Sequence, residues 1–446
     1  MKRFFCVVFL FALILSNRSF SNGLSLNNIG PRALGMAGAQ IGWVDDYTAI
    51  YWNPAGMVNL KDAQIAAFAT DIIPMGTYKF QYPEDNSMFN IDTETIINHY
   101  ISPNLMAYVP IMNGDLTIGI GAYVPAGLGA EWNGEDLTDL NMPNTGPYDW
   151  MGKIAAFNIS PAIAYKINDM FSVGAALNVY YGMFEMQRPM DMYDMIEQQA
   201  GTDNMMDTQY KEDGDGFGFG ASLGLMVKPH EMFSLGVSFK TETNVAFSGD
   251  ASLNGVATQN QELKTEYERD LAWPMWIGGG IAFYPMENLT IAADINWSQW
   301  SKTQEKIETD YKDFPSAIKD SARVMHLEWE DCTQFRIGAQ YELPEDMWAF
   351  RAGYYHDPAP SPDKTLNIVF PSITYNAITF GFSKSFGQFG IDFGGEYMIG
   401  TERDIPFSKK IPGSADYDPE YAEAMPGLHN MNIIAFSIGF SYTFSD

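Results

Sequence analysis

Positive charge, cysteine and long apolar runs are all scarce in this chain of 446 residues. Only 26 lysines and arginines stand against 55 aspartates and glutamates, a net charge of −29. That balance excludes nucleic acid as a partner, because nothing would neutralise its phosphates. Of the two cysteines, Cys6 lies in an N-terminal apolar stretch and Cys332 stands alone far downstream, so processing leaves no intrachain disulfide. His99, His230, His326, His356 and His429 are scattered, and none accompanies a nucleophile motif, which argues against an enzyme. No metal or cofactor is expected. Asp213-Gly-Asp215-Gly is too short for an EF-hand loop, and no helix follows Gly216, Gly218 and Gly220 as dinucleotide binding requires.

The one continuous apolar run is at the start. Lys2 and Arg3 precede Phe4 to Leu15, and Ser19 and Ser21 supply the small residues a signal peptidase accepts. A membrane-crossing helix needs ~20 residues, so this run reads as a signal peptide over 1–21, leaving Asn22 as the mature N-terminus. Without Lys2, Arg3 and Arg18 the balance is 23 basic against 55 acidic residues, a net charge of −32.

The rest of the chain is written in alternation. Ile434, Phe436, Ile438, Phe440, Tyr442 and Phe444 share one face, with Ala435, Ser437, Gly439, Ser441 and Thr443 opposite. Phe217, Phe219, Ala221, Leu223, Leu225 and Val227 repeat the pattern, as do Phe171 to Tyr181 and Leu289 to Trp297. Phe389, Ile391, Phe393 and Tyr397 face away from Asp392 and Glu396, so the inner face must be wet or paired. A membrane protein without spanning helices must close its backbone hydrogen bonds between strands. The expectation is a fourteen-stranded antiparallel transmembrane β-barrel, all-β, with strands near 62–73, 101–111, 114–124, 153–167, 170–184, 215–228, 231–248, 272–284, 287–300, 330–343, 346–356, 372–386, 387–399 and 430–444.

Connections strengthen this reading. Tight turns at Asn113-Gly114, Asn168-Asp169, Pro229-His230, Pro285-Met286, Pro344-Glu345 and Gly387-Gln388 alternate with the long linkers 74–100, 125–152, 185–214, 249–271, 301–329 and 400–429. A barrel in the outer membrane of a Gram-negative cell puts short turns in the periplasm and long loops outside. Tyr165, Tyr284, Trp297, Trp300, Tyr341 and Trp348 near strand ends are expected in interfacial girdles. Residues 22–61 do not alternate. They are Gly- and Ala-rich, with a rigid Asn53-Pro54 step, and read as a plug inside the lumen of a barrel formed by 62–446.

At this point the chain resembles the FadL/TodX family of outer-membrane channels for long-chain fatty acids and aromatic hydrocarbons. The likeness rests on Arg32-Ala-Leu-Gly-Met-Ala-Gly-Ala39, Asp45-Asp46, Asn53-Pro54-Ala55, Trp273-Pro-Met-Trp276 and Asp294-Ile-Asn-Trp-Ser-Gln-Trp300. Phe335 to Tyr341, Phe350 to Tyr354 and Asp357-Pro-Ala-Pro360 continue it in order, so it spans the mature chain. The resemblance implies a fourteen-stranded barrel with an N-terminal hatch, ligand capture by extracellular loops, a lumen pocket, and release by hatch movement near a kink in the third strand. Pro125, Gly127 and Gly129 match the kink, and Asn53, Pro54 and Ala55 the hatch motif expected against it.

Ligand contacts are expected from Arg188, Lys302 and Arg336 if the ligand is a carboxylate. Met190, Met192 and Met195 belong to a methionine-rich loop with two readings, a greasy capture surface or a loop packed on its neighbour. Met183 and Glu185 stand where fatty-acid members are more basic, which leaves neutral hydrocarbons open. The alternatives are a non-specific porin and a barrel enzyme of lipase or protease type. Expected partners are hydrophobic small molecules, outer-membrane lipid and lipopolysaccharide, and the barrel assembly machinery, around a monomer.

Overall fold

The computed structural model describes residues 23–82, 89–142, 144–190, 206–303, 305–316 and 323–445, so the expected signal peptide lies outside it. Fourteen strands form the wall. They are β1 Ala63–Tyr82, β2 Tyr100–Ile111, β3 Leu116–Trp132, β4 Trp150–Lys166, β5 Phe171–Met190 and β6 Thr208–His230. β7 comes in two pieces, Phe233–Lys240 and Thr243–Gly255, as does β8, Leu263–Trp273 and Trp276–Met286. β9 Leu289–Ser298, β10 Cys332–Leu343, β11 Trp348–Asp357, β12 Tyr375–Phe386, β13 Phe389–Gly400 and β14 Gly427–Phe444 complete it. Each strand pairs antiparallel with the next, and β1 closes on β14 from Ala63↔Phe444 to Lys79↔Leu428.

The alternation sorts side chains as expected. Phe217, Phe219, Leu223, Phe436, Ile438 and Phe440 face outward, while Gly216, Gly218, Ala435 and Ser437 face in. Turn chemistry agrees too. Asn113 and Gly114 take φ of 59° and 91°, and Gly387 takes 62°, the left-handed backbone that Asn and Gly adopt readily.

Several strands outrun their expected ends. β5 and β6 stay paired up to Met190↔Thr208, although the sequence reads 185–214 as a linker. Above Phe184 and Phe217 the outward residues become Glu185, Lys211, Asp213 and Asp215. Apolar alternation therefore stops where lipid stops, while the hydrogen-bonded ladder continues. Crossing a bilayer takes ~9–11 strand residues, and β6 has 23. Trp300 also departs from expectation. It is fully buried in a short turn of helix, against Gly23 and Trp329, because it follows β9 above the bilayer and tucks inward. Tyr165 and Tyr341 do face outward.

Residues 23–61 fill the lumen, with two short helices, α1 Pro31–Gly35 and α2 Ala49–Trp52, and a 3₁₀ turn over Pro54–Asn59. Wall glycines admit this hatch. A Cβ on Gly236 would stand 1.8 Å from the Ile41 carbonyl oxygen, one on Gly174 2.3 Å from Pro54, and one on Gly394 2.3 Å from the Pro31 oxygen. Wall carboxylates then fasten it. Asp294 accepts from the Gln40 and Ile41 amides at 2.7 and 2.8 Å, Asp392 from the Tyr47 hydroxyl at 2.9 Å, and Glu396 from the Asn28 amide at 2.6 Å. The inward acids of β9 and β13 are thus paired with the plug.

Two substitutions test this interlock. Gly236→Val forces the Ile41 backbone off the wall and is expected to raise steady conductance in planar bilayers; unchanged conductance would contradict tight seating. Asp294→Ala orphans two buried amides, at about 1–3 kcal/mol each. Hydrogen exchange at Gln40 and Ile41 should accelerate while the barrel strands stay protected, and equal protection in both proteins would refute it.

Candidate functional site

The wall has one long break. β2 and β3 pair from Ile111↔Leu116 only to Leu105↔Ala122, although β3 runs on to Trp132. Below the break, Ile118 and Ile120 face lipid at 48% and 52% exposure; Val124, next but one after Ala122 on the same register, is 7% exposed. The strand has turned into the lumen. Pro125 sits at the turn, where a register shift between Tyr123 and Ala126 marks a bulge against β4. Chain pairing resumes above at Thr95↔Trp132. The sequence expectation ended the third strand at the kink; instead β3 bends there and continues.

Backbone groups exposed by the break are taken up from inside. The Leu26 amide donates to the Pro125 oxygen at 3.0 Å, and the Gly127 amide to the Leu24 oxygen at 3.0 Å. The Asn104 side-chain oxygen accepts from the Val124 amide at 3.0 Å. Leu24–Leu26 thereby acts as a short surrogate strand. Gly129 leaves room for the Tyr100 ring, whose hydroxyl would lie 2.6 Å from an added Cβ. Beside Gly127 there is space, with nothing nearer than 3.7 Å to an added Cβ.

That space belongs to a cavity of about 360 Å³ running from the lumen to the break. Leu26, Val124, Leu128, Ile154, Ile373, Met398 and Met431 make it mainly apolar, and Asn27, Asn28, Asp357 and Glu396 form its polar floor. The polar groups are spoken for: Asn27 donates to Asp357 at 2.6 Å, and Gln334 donates to both Asn27 and Asp357. Its rim includes Ile101, Phe157 and Met183, which are outward residues of the wall.

Asn53-Pro54-Ala55 does not sit against the kink. The Asn53 amide donates to the Ile41 and Leu225 oxygens, its side-chain oxygen accepts from the Ala55 amide, and Ser172 donates to the Ala55 oxygen. The motif is seated on β5 and β6 because Gly174 and Gly224 leave recesses there. The kink is met instead by Leu24–Leu26 and, two residues before the motif, by Tyr51, edge-on to Tyr123 at 5.7 Å. At the periplasmic end Arg32 pairs with Asp45 at 3.0 Å and Asp46 at 3.4 Å. Burial raises the Asp46 carboxyl above the usual range, and Arg32 opposes that rise.

The expected ligand contacts do not converge on one point. Arg336 is buried against the hatch, donating to the Ala37 oxygen at 2.9 Å and to Asn27 at 3.1 Å, with Trp52 and Tyr355 rings beside it. Lys302 is exposed on the helical turn after β9. Arg188 lies over the Tyr210 ring at 5.8 Å, and Met190 is 2% exposed in a large apolar cluster above the bilayer with Phe184, Phe247 and Trp329. Met192 and Met195 fall outside the described residues. Inside that cluster Arg269 pairs with Glu212, which also accepts from the Tyr210 hydroxyl.

Residues the sequence reading passed over are Leu24–Leu26, Asn27, Tyr100, Lys240, Glu212 and Arg269. Lys240 was within reach: it continues the inward series Ser234, Gly236, Ser238, where a charge is as informative as at Asp392.

Comparison with known proteins fits this architecture. Long-chain fatty acid transport protein of Escherichia coli K12 is 23% identical over 444 residues, covering 90% of this chain and 94% of its own length. The structure of a Pseudomonas aeruginosa FadL homologue superposes with a TM-score of 0.74 at 16% identity, covering 95% of this chain and all of the other. The P. putida toluene transporter TodX superposes with 0.73 at 16% identity, over 94% of this chain and all of its own. The family model described as outer membrane protein transport protein (OMPP1/FadL/TodX) matches residues 12–444, and the chain with its plugged, laterally broken barrel belongs to that family.

Proposed function

We propose that this protein carries hydrophobic compounds, long-chain fatty acids or hydrocarbons, inward across the outer membrane. One observation carries the reading: a mainly apolar cavity joins the lumen to the break between β2 and β3. Relatives that transport a fatty acid and toluene support the cargo class. Compounds gather at the apolar cluster above the bilayer, where Arg188 and Met190 lie, and Met192 and Met195 extend the surface. They pass to the cavity and leave sideways between β2 and β3, where Pro125 bends the wall and Gly127 and Gly129 keep it thin. Two backbone bonds join Leu24–Leu26 to the bent part of β3 in the opening, and movement of this part of the hatch clears the way. Asn53, Pro54 and Ala55 anchor the rest, and Arg336 fastens the hatch rather than reading cargo. A signal peptide over 1–21, insertion by the barrel assembly machinery, contact with lipopolysaccharide and a monomeric state complete the proposal.

Deletion of the gene should slow uptake of hydrophobic compounds and leave small polar solutes unaffected. Equal uptake of every hydrophobic compound tested would refute transport, and a large steady current through the purified barrel would favour a porin. Gly127→Phe places a ring in the cavity mouth beside Leu26 and leaves the hatch fastenings at Asp294 and Asp392 in place. Uptake should fall severalfold while the barrel still folds, as judged by heat-modifiable migration; unimpaired uptake would reject the sideways route.

A further inference from the structure

The extracellular mouth holds an apolar segment that the transport route must pass. Residues 358–374 join β11 to β12 above the membrane, where a connecting loop is normally polar. Here Leu366, Ile368, Val369 and Phe370 are apolar and buried. In the closed ring of strands, β11 and β12 stand opposite β4 and β5, and the segment crosses the mouth to reach that far wall. The Trp132 indole N–H, at the top of β3, donates to the Ile368 oxygen at 2.9 Å. The Phe370 ring lies 6.0 Å from that of Phe184 on β5. A Cβ on Gly152 of β4 would collide with the Val369 oxygen, so this glycine is the seat of the tip.

This tongue stands between two spaces. Its contacts Trp132, Gly152 and Phe184 lie further toward the cell exterior than Gly129, Ile154 and Met183, which line the cavity on the same three strands. Pro371, Ser372 and Ile373, at its root, line the cavity too. On its other side Ile368, Val369 and Phe370 belong to the apolar cluster above the bilayer, with Met190 and Trp329. The tongue is thus a partition between the surface where compounds gather and the cavity they must enter. Its root is pinned: Arg403 donates to the Ser372 oxygen at 2.8 Å and pairs with Asp363 at 2.6 Å. Its bend is self-made, because the Asn367 side-chain oxygen accepts from the Val369 and Phe370 amides at 3.0 and 2.8 Å. The tip therefore keeps its shape when it leaves the far wall.

Leaving that wall bares apolar side chains to water, at a cost that grows with their area. A molecule that covers Trp132 and Phe184 in the tongue's place offsets the cost with its own apolar surface. A polar solute has no such surface to offer. We propose that Ile368–Phe370 is an inlet gate, which apolar cargo opens by exchanging places with it, and that Trp132 is the positioning residue that holds it shut. This rests on the transport reading and deepens it, because it gives the choice of hydrophobic over polar compounds a place in the fold.

The test uses the full chain in lipid nanodiscs, with Cys6 and Cys332 replaced by alanine and a reporter thiol introduced by Val369→Cys. Radiolabelled dodecanol is the apolar probe, its binding followed by equilibrium dialysis, and a charged, water-borne methanethiosulfonate modifies the thiol. Modification should be slow in the free protein, severalfold faster with dodecanol bound, and unchanged by maltose. Adding Trp132→Phe, which keeps a ring and loses the donor, should speed modification about fivefold without dodecanol, the effect of one hydrogen bond. Adding Gly152→Leu should unseat the tip and make modification fast with or without dodecanol. Dodecanol that binds without speeding modification would overturn the gate and leave the transport reading intact. A Gly152→Leu chain as slow as its parent would overturn it as well, and an unchanged rate in Trp132→Phe would overturn the role of Trp132. A chain that binds no dodecanol would refute the transport reading itself, and the gate with it.

Discussion

Lipid offers the backbone no hydrogen-bond partner, and the rest of this structure follows from that refusal. Fourteen strands must close, and β1 meets β14 along 17 residue pairs to do so. A wall built this way cannot be opened cheaply. Where β3 leaves β2, the freed groups are met by Leu24, Leu26 and the Asn104 side chain rather than left bare. The break and the N-terminal segment are therefore a single device. A barrel with this kink and no strap would expose unpaired backbone at the membrane, and a strap without the kink would have nothing to bind.

The hatch obeys the same logic from the other side. Its turns carry amides and carbonyls into a packed lumen, where each buried unpaired group costs about 1–3 kcal/mol. Wall carboxylates accept from it at Gln40, Ile41, Tyr47, Asn27 and Asn28, and wall glycines bring its backbone within reach. A vertical path must break all of these, whereas a path at the break between β2 and β3 leaves the bonds at Gln40, Ile41 and Tyr47 in place, and that is the physical argument for a sideways exit.

Much of this was legible in the sequence, for reasons that differ by region. Lipid imposes a strict two-residue period on residues such as Phe217, Phe219, Phe436 and Phe440, so all fourteen strands could be located. Above the bilayer that pressure ends, and Glu185, Lys211 and Asp213 hide strands whose pairing is intact. Pro125 announced a kink, yet nothing local says that Leu24–Leu26 would meet it or that Asn53 would settle on Gly224. Those contacts depend on how a non-periodic segment threads a closed lumen. Trp300 misled because a tryptophan at a strand end looks the same whether it faces an interface or folds inward.

Charge distribution ties cargo to architecture. A chain of net charge −29 repels an anion at long range, so where its positive charges lie matters. Arg32, Lys240, Arg336 and Arg351 line or hold the lumen beside the inward acids Asp294, Asp392 and Glu396, Arg188 and Arg269 lie by the rings of the cluster above it, and Lys79, Lys211 and Lys312 pair with acids on the exposed surface. Most of these cations are already committed: Arg32 and Arg269 to acids, Arg336 and Arg351 to neutral oxygens of the hatch and wall. A passing carboxylate thus meets a lumen whose positive charge is largely neutralised or occupied, so apolar contact governs passage through the cavity.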